Sequence, residues 1–121
     1  MTARELEQYF EGRPDSAAIF DILAKRIESL GGADLTIGSQ ISFSRRRKFA
    51  WFWLYNVTKK NPSGVPHLML ALDRESPDDH IRLITQVGKN RWNHQIVVRS
   101  KADARSKWLG KLLAAAYEYG G

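Results

Sequence analysis

Cysteine is absent from the 121 residues. That excludes a disulfide framework, a thiol nucleophile and a thiolate metal site. No apolar run approaches the roughly 20 residues that span a bilayer. The first residues are acidic and amphipathic rather than basic and then apolar, so no secretory leader is read there. The expected location is the cytoplasm, without a membrane partner. Three histidines, His67, His80 and His94, stand isolated and lack metal-ligand spacing. There is no Gly-rich phosphate loop, no nucleophile elbow and no His-Glu-x-x-His. A nuclease would need carboxylates near a lysine to hold a divalent cation, and residues 35 to 72 contain no Asp or Glu. No catalytic residue, metal or cofactor is therefore assigned, and a hydrolytic enzyme is the least supported of three function classes.

Positive charge is plentiful and unevenly placed. The net charge is +6, but residues 1 to 34 carry four basic and seven acidic groups. Residues 35 to 72 carry six basic groups, and residues 81 to 121 carry eight basic against two acidic. Two blocks of +6 thus flank the acidic stretch Asp73 to Asp79. If they adjoin in space they form an anion-attracting surface; otherwise they are solubilising charge.

The most informative stretch is Ser39 to Tyr55. Ile41 and Phe43 alternate with Gln40, Ser42 and Ser44, the period-2 pattern of a half-buried strand. Phe49 to Tyr55 is apolar at both parities, as in a strand covered on both faces or offering one to a partner. A hairpin turning at Arg46-Arg47 sets Phe43 opposite Ala50 and Ile41 opposite Phe52. Ile41, Phe43, Ala50, Phe52 and Leu54 then share one face. Gln40, Ser42, Ser44, Phe49, Trp51, Trp53 and Tyr55 share the other. No Gly or Asn offers positive φ at the turn, which argues for a longer or bulged connection.

The rest of the chain reads as helix, helix, strands, helix. Thr2 to Glu5 is a capping box opening a short helix that Gly12 ends. Ile19, Leu23, Ile27 and Leu30 recur at helical spacing from Asp15, and Gly31-Gly32 stops that helix. Phe10 and Phe20 belong to the core. Leu35 and Ile37 lead into the hairpin. Asn61 to Gly64 is a turn, and His67 to Asp73 is a strand with Leu68, Leu70 and Leu72 on one face and Met69 and Ala71 on the other. Ile81 to Val87 is ambiguous: Ser76-Pro-Asp-Asp79 could cap a short helix there, but the β-branched residues favour a strand, which is the reading taken. Trp92, His94, Ile96 and Val98 alternate with Asn93, Gln95, Val97 and Arg99. Ser100 to Asp103 caps a final helix running to Tyr119. The expected product is one α+β domain spanning 1–121, with a mostly antiparallel sheet of about five strands, two N-terminal helices and one C-terminal helix. Its core should hold Ile41, Phe43, Phe52, Leu70, Ile96 and Leu112.

Two constellations point to binding. Arg45, Arg46, Arg47 and Lys48 make a cationic tip suited to phosphates, or else a solvated turn that guards a strand edge. Trp51, Trp53 and Trp92, with Tyr55, are a stacking platform or core. Gln40, Arg91, His94 and Arg99 complete the expected ligand-binding set. His94 shares a strand face with Trp92 and can donate to a phosphate. The leading expectation is a non-catalytic module for an anionic ligand, foremost nucleic acid or another polyanion. The runner-up is a protein-interaction or homodimerisation domain using the aromatic face.

Taken together, Phe10-Glu-Gly12 before a helix, Ser39-Gln40-Ile41-Ser42-Phe43 before the basic run, Phe49-Ala50-Trp51 and Arg91-Trp92-Asn93-His94 resemble the bacterial family of domain of unknown function 5655. The resemblance covers nearly the whole chain and implies a small α+β domain without established catalytic residues, cofactor or site. Similar domains occur alone or joined to nuclease-like domains, an association that favours nucleic acid without being chemistry.

Overall fold

Alternating residues build a six-stranded antiparallel sheet in a computed structural model, which describes residues 3–62 and 64–121. Thr2 of the expected first capping box and Ser63 of the expected turn lie outside the described residues. Two helices come first, α1 (Ala3–Tyr9) and α2 (Pro14–Leu30). The strands follow: β1 (Asp34–Ile37), β2 (Ile41–Ser44), β3 (Lys48–Tyr55), β4 (Val65–Leu72), β5 (Ile81–Gly88) and β6 (Arg91–Val97). Two helices, α3 (Lys101–Arg105) and α4 (Lys107–Gly120), close the chain. The sheet order is β1-β2-β3-β4-β6-β5, so β6 inserts between β4 and its own hairpin partner. This is the expected α+β domain, with a sixth strand because Leu35 and Ile37 pair with Phe43 and Ile41.

The hairpin register is the one expected of a turn centred on Arg46-Arg47: Ile41 opposes Phe52, and Phe43 opposes Ala50. The connection is longer than two residues. Ser44 pairs with Lys48, and the Arg45 N–H bonds the Arg47 carbonyl. The register shift beside Phe43 is a bulge that turns Phe49 out of the row it was expected to share with Trp51. Phe49 is fully buried and meets the Tyr117 ring edge-on at 5.6 Å.

One sheet face is covered. Phe10, Phe20, Phe43 and Phe52 form a ring cluster with centroids 5.2–6.0 Å apart, within the range where aromatic pairs attract. Ile19, Leu23 and Ile27 of α2, with Leu109, Leu112, Leu113 and Ala116 of α4, complete the core over Leu68, Leu70 and Ile96. All six expected core residues are buried. The final helix differs from the expectation of one continuous element. Ser106 is extended (φ −64°, ψ 152°) and separates α3 from α4. Arg26 of α2 stabilises the break, since its guanidinium donates to the Ala104 and Ser106 carbonyls at 2.6 and 3.0 Å. Ala104 lies in the last turn of α3, where carbonyls run out of helical partners, and the Ser106 carbonyl also accepts the Gly110 N–H at 3.1 Å.

Candidate functional site

Strand parity decides which side chains face away from the helices. Trp51 pairs with Ser42 and Met69, Trp53 with His67, and Tyr55 with Val65. These residues alternate with Ala50, Phe52 and Leu54 of the core face, so they point to the other side. On β6 the same side carries Asn93, Gln95 and Val97, opposite Ala71, Met69 and His67. On β5 it carries Leu83 and Thr85. The face is therefore an aromatic row on a central strand, beside amides and a thioether. Trp51 and Trp53 are half-buried, and Tyr55 is 57 % exposed.

Cations border this row and carboxylates avoid it. Among the six strands only β1, at the far edge, contains an acidic residue, Asp34. The Arg91 guanidinium lies 5.1 Å from the centre of the Trp51 ring, a cation–π contact. At the other end Arg82 donates to His67 Nε2 at 3.3 Å. A guanidinium only donates, so Nε2 is the acceptor, and Nδ1–H donates to the Val65 carbonyl at 3.0 Å. Trp53 and Tyr55 lean over this imidazole, with centroids at 5.4 and 5.3 Å, and leave it 2 % exposed. His67 thus props both rings and holds Arg82 against the row.

The expected site residues part company here. Trp51, Trp53 and Arg91 come together. Trp92 and His94 do not join them, because their parity turns them to the helix side. Trp92 pairs with Leu72 and His94 with Leu70. His94 is 0 % exposed, and its Nε2 accepts the Ser76 N–H at 3.0 Å while its Nδ1–H donates to the Trp92 carbonyl at 3.1 Å. Burial holds its pKa below the ordinary histidine value. It cannot serve as a phosphate donor, which corrects that expectation. Gln40 sits exposed in the β1–β2 turn, one residue before the Ile41–Phe52 pair and outside the paired strands. Arg99 lies beyond β6, its N–H bonded to Asp103 Oδ2, in a cleft that also holds Arg82, Asp79, Asp103 and Trp108.

The basic tip is divided. Arg45 donates to the Tyr117 carbonyl at 2.9 Å and lies 4.0 Å over that ring. Arg47 donates to the Tyr119 carbonyl at 2.6 Å and lies 4.2 Å over the Tyr119 ring. The Arg46 and Arg47 N–H groups both bond the Gly120 carbonyl. These groups close the C-terminal end of α4, where the helix dipole is negative. The side chains of Arg46 and Lys48 make no such contact among the described residues, and both are exposed. The residues that sequence reasoning missed are His67, Met69, Arg82 and Gln95. Pairing parity finds His67, Met69 and Gln95 once β6 is placed beside β4, whereas Arg82 lies at the register irregularity between Ile81 and Leu83 and is found only through its contact with His67.

Among the described residues no group of three His, Cys, Asp or Glu side chains is placed to hold a metal ion, and no helix is long and apolar enough to cross a membrane. The family described as Domain of unknown function (DUF5655) matches residues 6–120, nearly the whole chain. Comparison with curated proteins finds no match, and comparison with solved structures finds none.

Proposed function

We propose that this chain, which belongs to the DUF5655 family, is a non-catalytic module that binds single-stranded nucleic acid across the helix-free face of its sheet. The observation that carries the reading is the row Trp51, Trp53 and Tyr55, bordered by Arg91 and Arg82, on four strands that hold no carboxylate. Side chains at i and i+2 of a strand stand about 7 Å apart, a step that an extended single strand can follow with successive bases. Unstacked bases offer π-faces to such a platform, whereas a duplex hides them. Lys48, Arg46 and Arg91 supply phosphate contacts at one end of the row. Arg82, Lys59 and Lys60 supply them at the other.

The test is fluorescence anisotropy with labelled single- and double-stranded oligonucleotides across a salt series. Single strands should bind more tightly. With three to six of these phosphate contacts made, log K against log salt should slope at roughly −2 to −4. Trp53→Ala should weaken binding by about 1–3 kcal/mol with little change in slope, as loss of stacking does. No binding at low salt, or equal preference for duplex, would overturn the reading. Exposed Tyr55, Val57, Leu83 and Val87 favour self-association as the second reading. A concentration-dependent dimer by light scattering, with no affinity for any polyanion, would select it.

A further inference from the structure

We infer that Gln95 reads the edge of one base, so that the single strand is bound with a preference at one position. The inference rests on the reading above. Register lines up Ser42, Trp51, Met69, Gln95 and Leu83 in one row across five strands. Neighbouring strands lie about 4.8 Å apart, so Trp51 and Gln95 stand about 10 Å apart with Met69 between them. The three make a shallow tray. The polarisable thioether is the floor, favourable beneath an aromatic ring. The indole is one wall, and the amide is the other.

The amide of Gln95 is available. Its polar neighbours on this face are engaged: both His67 ring nitrogens have partners, and Asn93 Oδ1 accepts from Arg91 Nε at 3.2 Å. Gln95 is half-buried and makes no side-chain hydrogen bond among the described residues. Among the described residues no buried side-chain nitrogen or oxygen lacks a partner, so the amide atoms of Gln95 are open to solvent and can take a ligand's hydrogen bonds. Its oxygen and NH2 present an acceptor and donors side by side. That is the pattern glutamine uses to read adenine through N6 and N7. Arg91, Lys48 and Arg82 contact phosphates and position the strand without reading it.

The experiment uses the intact chain and four eleven-residue deoxythymidine oligonucleotides whose central residue is dT, dA, dC or dG. The expected result is tightest binding with central dA, by about fivefold or more over the weakest. Gln95→Ala should bind all four alike, with an unchanged salt slope and an unchanged melting temperature. Gln95→Glu keeps the shape and the acceptor but loses the donors, and should lower affinity for all four and abolish the dA preference. A preference for another base that Gln95→Ala erases supports the reader and changes only its letter. Equal binding of all four by the wild type, or an undiminished preference in Gln95→Ala, overturns base reading and leaves the module intact. Failure of every oligonucleotide to bind at low salt overturns the module itself and base reading with it.

Discussion

His67 and His94 use one local device for different ends. Each imidazole donates Nδ1–H to the carbonyl two residues before it, on Val65 and Trp92 respectively. His67 then accepts a guanidinium on the helix-free face, while His94 accepts a backbone N–H inside the core. Protonating His94 would leave a charge buried against the Ser76 N–H. Its folded-state pKa is held down chiefly by desolvation. The sign follows: below the unfolded value of about 6.5, the unfolded chain takes up a proton that the folded chain refuses. The stability contributed by neutral His94 is present above that value and is lost as pH falls below it. Chemical denaturation at stepped pH should show a fall approaching at most about 1.4 kcal/mol per pH unit from this group. His94→Gln, if it folds, should remove that component. A flat profile from pH 7 to 5 would contradict the assignment. The aromatic pairs divide just as sharply. Phe52 is fully buried and Trp53 half-buried, although they are adjacent in the chain and of one hydrophobic character. Composition cannot tell them apart, but the sheet's alternation does.

At the scale of elements, α4 has no basic residue of its own in its last turn. Arg45 and Arg47 supply that charge from the β2–β3 connection. Replacing both with alanine should lower stability by about 1–2 kcal/mol, from lost dipole and charge-assisted contacts. Arg46→Ala should leave the denaturation midpoint unchanged and make the salt slope of oligonucleotide binding shallower. Equal midpoints for the two variants would contradict the division of the tip. Gly120 belongs to the same joint. A Cβ there would meet the Phe49 ring at 2.6 Å, so Gly120→Ala should cost about 1–3 kcal/mol by overpacking, read as a lowered melting temperature. These contacts also explain what was legible in the sequence. The faces of β2 and β3 follow from parity, as do the strands around Leu68 to Leu72 and Trp92 to Val98, while the register of β2 against β3 comes from placing the turn at Arg46-Arg47. The fate of Arg45 and Arg47 depends on a helix end far along the chain, which no local pattern encodes. The break at Ser106 likewise depends on Arg26. Alternation correctly grouped His94 with Trp92 and Gln95 with Asn93. It does not say which group meets the helices, and that depends on the placement of β6 beside β4. The bulge that turns Phe49 inward is a one-residue shift invisible to a period-2 reading.

Across the whole molecule, stability should be graded by position in the sheet. β3, β4 and β6 are each paired on both sides, whereas β1 and β5 are edges. Most of β5 is exposed, with Leu83 at 54 %. Amide hydrogen exchange should therefore be slowest in β3 and β4, and fastest among strands in β1 and β5, since local opening follows buried contact. Protection of β5 equal to that of β4 in a dilute sample would mean that its edge is covered by another copy. The joint between the basic turn and α4 has a further consequence during synthesis. Its partners lie 72 residues apart. At about 5–20 residues per second, the turn leaves the ribosome roughly 4–14 seconds before the carbonyls that receive Arg45 and Arg47. In that interval all four cations of the tip are unclaimed and Phe49 has no helix to cover it. The nascent hairpin thus carries its full charge open to solvent until α4 has been made, and docking of α4 is what withdraws half of that charge.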